Sequence, residues 1–352
     1  MTKINMATFG LLNQYETLVQ EYSKNYKVGR ILLQEKGLYR LVSESGEQFA
    51  EVSGKLRYNA KSVSDFPAVG DFVLIDCGNM QDHAVIHEVL PRKSVFVRKS
   101  AGTTNTKQVV AANIDTVFIC MSLNNDFNIR RLERYLSVAW DSGATPVIVL
   151  TKSDLCSNFD QYIHSVEMVA FGTDIVITSG IEKDGYLRLL PYIKDGKTVA
   201  LIGSSGVGKS TLINRLLGES RLETNGLRND DKGRHTTTRR ELFLLKQGGM
   251  VIDTPGMREL GLWDIDEGLD KSFSDIEELA NMCKFHNCSH TSEPYCAVKE
   301  AISRGELSKE RWLSYQKLRA ENKYTENSED YLAEKKQKLK NISKINKFNR
   351  KR

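Results

Sequence analysis

Short apolar runs broken by turn residues dominate the first hundred positions. Val28–Leu33, Leu38–Val42, Gln48–Val52, Asp71–Ile75 and Ala84–Val89 are separated by clusters of Gly, Ser, Asp and Asn. Runs of that length between such breakers predict strands. Five short strands in roughly seventy residues predict a small Greek-key barrel of the OB type, placed at 26–100. Barrels of this kind often take single-stranded RNA on a basic face interleaved with aromatics. Arg57, Tyr58, Arg92, Lys93, Phe96, Arg98 and Lys99 are the candidates for that face.

Residues 1–25 read as a loose leader, in which Leu11–Val19 has the spacing of a short amphipathic helix. Ser100 to about Gln108 is a Thr/Asn/Gly-rich linker. Beyond it the period changes. Asp115–Met121 is strand-like, Ile129–Trp140 carries apolar residues at helical spacing, and Pro146–Leu150, Ile175–Ile177, Val199–Ile202 and Met250–Ile252 are strand-like again. Strands alternating with helices predict a parallel sheet covered on both faces, here over 101–265. From about Leu269 the pattern turns helical, giving a segment at 266–325 that ends in a helix over Lys309–Glu321. Residues 326–352 follow as a tail.

Charge and composition narrow the class. The formal charge of +5 is modest, but from Glu334 onward the tail holds nine Lys and Arg residues and no further acid. Such a block predicts a flexible arm drawn to phosphate backbone. No run approaches the length of a membrane span. The start has no apolar stretch behind it, so no secretory signal is expected.

The chemistry concentrates at Gly203-Ser204-Ser205-Gly206-Val207-Gly208-Lys209-Ser210, which satisfies every fixed position of the phosphate-loop pattern. It follows the strand Val199–Ile202 and precedes the helix-like run Thr211–Leu217. Glycines let successive backbone N–H groups face phosphate oxygens, and the helix adds its positive end. Lys209 would bridge the terminal phosphates and the Ser210 hydroxyl would ligate Mg²⁺. Thr151-Lys152-Ser153-Asp154 ends another buried-type strand. The Asp154 carboxylate can accept both N–H donors on one edge of guanine, and the Lys152 stem would pack along the base. Ser179, within Thr178-Ser179-Gly180, would support the base from the other side. Asp253-Thr254-Pro255-Gly256 follows Met250–Ile252. There Asp253 would hold Mg²⁺ through water and the Gly256 N–H would sense the terminal phosphate. Between these motifs, Gly233-Arg234-His235-Thr236-Thr237-Thr238 is placed to supply a threonine to the metal, taken as Thr237.

The order is base reader, base support, phosphate loop, first switch, second switch. That is a GTPase domain rotated in sequence, a change tolerated where the original termini lie close together. Three cysteines, Cys283, Cys288 and Cys296, enclose His286 and His290, a donor set suited to tetrahedral Zn²⁺. Four protein ligands leave no open position, which predicts a structural ion.

These motifs make the chain resemble the RsgA (YjeQ-type) family, circularly permuted GTPases acting on the small ribosomal subunit. Gly233–Thr238, Asp253–Glu259 and the cysteine cluster carry the resemblance, which runs from about Lys27 to about Ala320. One departure is Thr151, where most GTPases have Asn. The resemblance picks His290 as the fourth zinc ligand and gives His235 the task of positioning the attacking water. The usual glutamine after the second switch motif is here Met257, which cannot hold water. The resemblance therefore implies a slow GTP hydrolase using Mg²⁺ and one structural Zn²⁺. It implies stimulation by the small subunit, a late-stage role in that subunit's maturation, rRNA binding, and release on hydrolysis. A cytoplasmic monomer with no membrane or DNA partner is expected. The alternatives are an rRNA-binding assembly factor that uses guanine nucleotide as a structural ligand, and an ATPase.

Overall fold

The computed structural model describes residues 3–11, 26–35, 37–76, 83–99, 107–194, 196–222, 240–253 and 266–326. His235, Thr237, Gly256, Met257, residues 12–25, Cys77 and the tail from 327 lie outside the described residues. The chain divides into two compact units, Met1–Gly261 and Leu262–Arg352.

In the first unit, β1 (Lys27–Gln34), β2 (Tyr39–Ser43), β3 (Gly46–Val52), β4 (Phe72–Asp76) and β5 (His83–Val89) form the barrel. The predicted strands are therefore matched to within about two residues at each end. The strand order is β1-β2-β3-β5-β4, and antiparallel pairing of β1 with β4 closes it. Alternation decides which side chains go inside. Along β3, Gln48 and Ala50 are buried while Glu47, Phe49 and Glu51 are exposed. Ile31, Tyr39, Leu41, Ala50, Val73, Ile75, Ala84 and Ile86 fill the interior. A short helix α1 (Gly54–Asn59) follows β3, and its N-cap Ser53 side chain accepts the Leu56 N–H at 3.1 Å.

Described strands flank the expected linker. β6 (Val95–Lys99) pairs antiparallel with β7 (Lys107–Ala112), so Lys107 and Gln108 belong to a strand and residues 100–106 lie outside the described residues. This corrects the proposed RNA face. Phe96 is buried in the ribbon's packing, not displayed. Arg92 donates to both oxygens of the buried Asp71 carboxylate, at 2.8 and 2.7 Å, and to the Ser64 and Phe66 carbonyls. Lys93 donates to Asp115 Oδ1 at 2.8 Å. These three residues hold the fold together internally. Arg98 donates to Gln108 Oε1, and the Lys99 side chain lies outside the description. Arg57 and Tyr58 remain exposed.

The α/β part comprises β8 (Thr116–Ser122), α2 (Ile129–Asp141), β9 (Thr145–Thr151), α3 (Asp160–Glu167), β10 (Asp174–Ile177), β11 (Thr198–Ile202), α4 (Lys209–Leu217), β12 (Glu241–Leu244) and β13 (Met250–Asp253). Its order is β10-β9-β8-β11-β13-β12. Every neighbour pair is parallel except β12 with β13. β11 is buried along its whole length, as a strand covered on both faces must be. β12 also pairs with β1, so barrel and α/β strands make one continuous sheet.

Arg30 of β1 pins that junction. It is 1% exposed and lies 4.8 Å over the Phe72 ring. It donates to Thr198 Oγ1 (2.8 Å), Asn113 O (3.3 Å), Gly70 O (3.3 Å) and the Phe9 carbonyl, and reaches Met250 Sδ. A guanidinium is tolerated this deep because its donors are spent on fixed acceptors.

The second unit holds α5 (Asp266–Ser272), α6 (Ser274–Asn281), α7 (Ala297–Arg304) and α8 (Lys309–Glu326). α8 runs past the Glu321 end expected from sequence. Phe273, Ile276, Val298, Ala301, Trp312, Tyr315 and Leu318 are among its buried apolar residues. Arg311 forms a bidentate pair with Asp275, at 2.8 and 2.7 Å, while lying over Phe273. Among the described residues, no helix is long and apolar enough to cross a membrane.

Candidate functional site: a nucleotide cleft and a cysteine–histidine centre

Parallel strands deliver their carboxyl ends to one edge of the sheet, where α/β proteins bind nucleotides. β9, β10 and β11 bring the three described motifs there. The phosphate loop begins at Gly203, with φ 144°. A Cβ at that position would lie 2.4 Å from the Cys120 carbonyl oxygen, so only glycine can leave β11 here. Gly206 (φ 76°) and Gly208 (φ 104°) turn the loop into α4. Val207 is buried in the α/β core and anchors the loop from below, while Ser205 and Gly206 are exposed. Lys209 Nζ lies over the loop, donating to Gly203 O at 2.7 Å and Ser204 O at 2.6 Å. Ser210 and Thr211 open α4 and are half-buried.

The base-reading segment is tied to this loop. Thr151 ends β9, and its hydroxyl donates to Val207 O at 2.6 Å and approaches Met121 O at 3.3 Å. The hydroxyl thus bridges the two loops from the position where most GTPases have Asn. Lys152 is left-handed (φ 57°), which turns the chain sharply after the strand. Ser153 N–H bonds Thr178 O, and Ser179 Oγ donates to Asp154 Oδ1 at 2.5 Å. Ser179 therefore fixes the carboxylate's orientation. Gly180 packs on the phosphate-loop helix: a Cβ there would come 2.9 Å from Thr211 Cγ2. Arg215 of α4 donates to the Gly180 carbonyl at 3.2 Å.

Asp253 closes β13 and is half-buried. Ser210 and Asp253 are oxygen donors of the kind that suits Mg²⁺. His235, Thr237 and Gly256 lie outside the described residues. Sequence reasoning missed Asp126, in the segment between β8 and α2. Its carboxylate accepts from Ser204 Oγ at 2.6 Å and from Arg131 at 3.0 Å. Burial pushes its pKa up, but the Ser204 and Arg131 contacts outweigh this and hold it below the usual carboxylate range. The only signal for it was its position just past a strand's carboxyl end.

In the second unit, Cys283, Cys288, His290 and Cys296 gather with their ligand atoms all within 4.8 Å of one another. His290 Nδ1 lies 3.4 Å from Cys296 Sγ and 3.6 Å from Cys283 Sγ, and those two sulfurs are 3.9 Å apart. A tetrahedron with metal–sulfur bonds of about 2.3 Å has edges near these lengths. All the described cysteines are free thiols, so no disulfide competes for them. His286 is exposed and stands outside the group. The turn is held by Glu293, which accepts from Ser289 Oγ and from the N–H groups of Ser289, Thr291 and Ser292. Those bonds take its carboxyl down to about 2. His290 also meets the Trp312 ring edge-on at 5.5 Å, linking the centre to α8.

Residues 89–263 match the family described as RsgA GTPase. The small ribosomal subunit biogenesis GTPase RsgA 2 of Lactiplantibacillus plantarum is 48% identical over 324 residues, covering 91% of this chain and 90% of that protein. RsgA 1 of Oceanobacillus iheyensis is 46% identical, covering 92% and 93%. Among solved structures, YjeQ from Thermotoga maritima superposes with a TM-score of 0.61 at 27% identity, covering 83% of this chain and 97% of that one. YloQ, described as a circularly permuted GTPase, gives 0.61 at 27%, with 85% and 96% covered. Identity of this order over nearly the whole of both sequences shows that this chain belongs to the RsgA GTPase family.

Proposed function

We propose that this protein hydrolyses GTP to GDP and phosphate on the small ribosomal subunit, which stimulates it, and that it acts late in that subunit's maturation. It binds rRNA in its GTP form and leaves on hydrolysis. The observation that carries the nucleotide reading is the Thr151 hydroxyl on the Val207 carbonyl. It locks the base reader to the phosphate loop, so a single nucleotide spans both. The relatives' names supply the small-subunit context.

Each residue then has a task. Asp154 accepts the guanine donors, with Ser179 orienting it and Thr151, Lys152 and Ser153 shaping the base slot. Gly203, Ser204, Ser205, Gly206, Val207, Gly208 and Thr211 wrap the phosphates, and Lys209 swings from its loop carbonyls to their oxygens. Ser210 and Asp253, with Thr237, would hold Mg²⁺, which when bound neutralises charge between the terminal phosphates. Gly256 senses the terminal phosphate. His235 orients the attacking water, because Met257 cannot. Cys283, Cys288, His290 and Cys296 would hold one structural Zn²⁺ with no open position. The protein works as a cytoplasmic monomer, with the barrel at 26–100, the GTPase at 101–265, the zinc segment at 266–325 and the basic tail at 326–352.

Asp154→Asn replaces an acceptor with a donor facing guanine's donors. GTP affinity should fall tenfold or more, the scale of lost hydrogen bonds to a charged group. Preference over xanthine nucleotide should relax. Unchanged affinity in a direct binding titration would remove Thr151–Asp154 from the base site. His235→Ala tests the chemistry. GTP binding should hold while turnover on small subunits falls about a hundredfold, and the variant should linger on the subunit. Full subunit-stimulated turnover in His235→Ala would pass the role to an arginine or an rRNA group.

A further inference from the structure

One rung of the sheet runs from the outer face of the barrel to the second switch. His83 of β5 pairs with Phe49 of β3, and Phe49 with Arg40 of β2. Arg40 pairs with Leu33 of β1, Leu33 with Glu241 of β12, and Glu241 with Asp253 of β13. Directly paired residues point to the same side of a sheet. Arg40 reaches across Leu33 to bond the Glu241 carboxylate, and its other terminal nitrogen lies 3.9 Å from Glu47.

The positions at the two ends of that bridge give it meaning. Glu241 opens the strand that begins just after Gly233–Thr238, the first-switch segment. It lies opposite Asp253, the first residue of the second-switch motif. Glu241 and Asp253 thus share one pair position at the strand ends, and the Arg40 guanidinium bonds the Glu241 carboxylate from the barrel side. On the barrel side, Phe49 is 51% exposed and stands beside Arg40 on the same face. Arg40 and Glu241 themselves keep 33% and 26% of their side-chain exposure. Arg40 Nε is buried with no hydrogen-bond partner among the described residues. The Arg40 guanidinium thus divides its terminal nitrogens between Glu241 and Glu47, whereas Arg92 and Arg311 each hold one carboxylate with two bonds.

We propose that the Arg40–Glu241 ion pair is a coupling joint, through which engagement of the barrel's outer face sets the register of both switch strands. Arg40 and Glu241 act as positioning residues, apart from the residues proposed above to hold nucleotide and metal. Contact beside Phe49 draws on Arg40, which alters the charge balance at Glu241 and thereby the strand ends that lead into the switches. The inference rests on the proposed stimulation by small subunits, and concerns the route it takes.

The test measures GTP turnover by the full chain with and without purified small subunits. The variants are Arg40→Gln, Arg40→Lys, Glu241→Gln and the double Arg40→Gln/Glu241→Gln. Each Gln single variant should lose about tenfold of the stimulation, the scale of a typical coupling between sites. Basal kcat, KM for GTP and thermal midpoint should stay at wild-type values. Arg40→Lys should keep most of the stimulation. The double variant should lose no more than either single, since the two residues act through each other. Wild-type stimulation in Arg40→Gln, or losses that add in the double variant, would overturn the coupling. A loss in Arg40→Gln but not in Glu241→Gln would also overturn it, leaving Arg40 as a plain ribosome contact. If wild-type protein itself shows no stimulation, the proposed function fails and not the route.

Discussion

Lys209→Ala should abolish measurable turnover and weaken GTP binding together. The Lys209 ammonium lies over the phosphate loop, held by two of the loop's own carbonyls at 2.7 and 2.6 Å. The exchange of those carbonyls for phosphate oxygens is short, and the charge attracts the bound triphosphate and, more strongly, the negative charge that develops in the transition state. Its removal therefore raises KM as well as lowering kcat. Loss of a charge that stabilises developing negative charge costs on the order of a hundred- to a thousandfold in rate. The fold should survive, because Lys209 is half-buried at the helix start and contributes no core packing. A Lys209→Ala variant that binds GTP normally, by fluorescence titration with a labelled analogue, would mean that the loop does not cradle the nucleotide. The contrast with His235→Ala is useful: there only the rate should fall.

The second large effect concerns the cysteine–histidine centre. Cys288→Ser, or a strong chelator, should unfold the segment from about 281 to 296. Met282, Phe285 and Tyr295 are well exposed, so the turn has little apolar packing of its own. Its local order otherwise rests on Glu293 and four gathered ligands. When such a segment binds metal, the binding free energy is folding free energy, on the order of 10 kcal/mol or more for structural zinc. Basal GTP hydrolysis should persist, because the nucleotide cleft belongs to the other compact unit. Subunit stimulation should be lost. Circular dichroism and metal analysis read the first outcome, and turnover reads the second. Loss of basal hydrolysis with nucleotide still bound would give the metal a part in the chemistry.

How much of this was legible in sequence depends on the range of the interaction involved. The barrel strands are written locally, by alternation such as Gln48 and Ala50 inside against Phe49 and Glu51 outside. The phosphate loop is equally local, because Gly203 must leave its strand where no Cβ fits. The β6–β7 ribbon was hidden because polar Ser100–Thr106 reads as linker, whatever its flanking strands do. Arg92, Lys93 and Phe96 looked like a nucleic-acid face because composition does not say which way a side chain is spent. Asp71 and Asp115 claim the two cations, and packing claims the ring. Asp126 carries no motif, and its role exists only through its bond to Ser204. β12 is four residues long, and its pairing with β1 joins positions some two hundred residues apart. No periodicity within either strand encodes that register, so the rung from Arg40 to Asp253 could only be read in three dimensions.

The central claim is that this chain is a switch whose chemistry answers to the small ribosomal subunit. The most direct measurement is GTP turnover by the purified full chain, with saturating GTP and Mg²⁺, in the presence and absence of purified small subunits. The account predicts slow release of phosphate alone and a marked acceleration on the small subunit, with GTP preferred over ATP in competition. Equal rates with and without subunits, or equal competition by ATP, would contradict it.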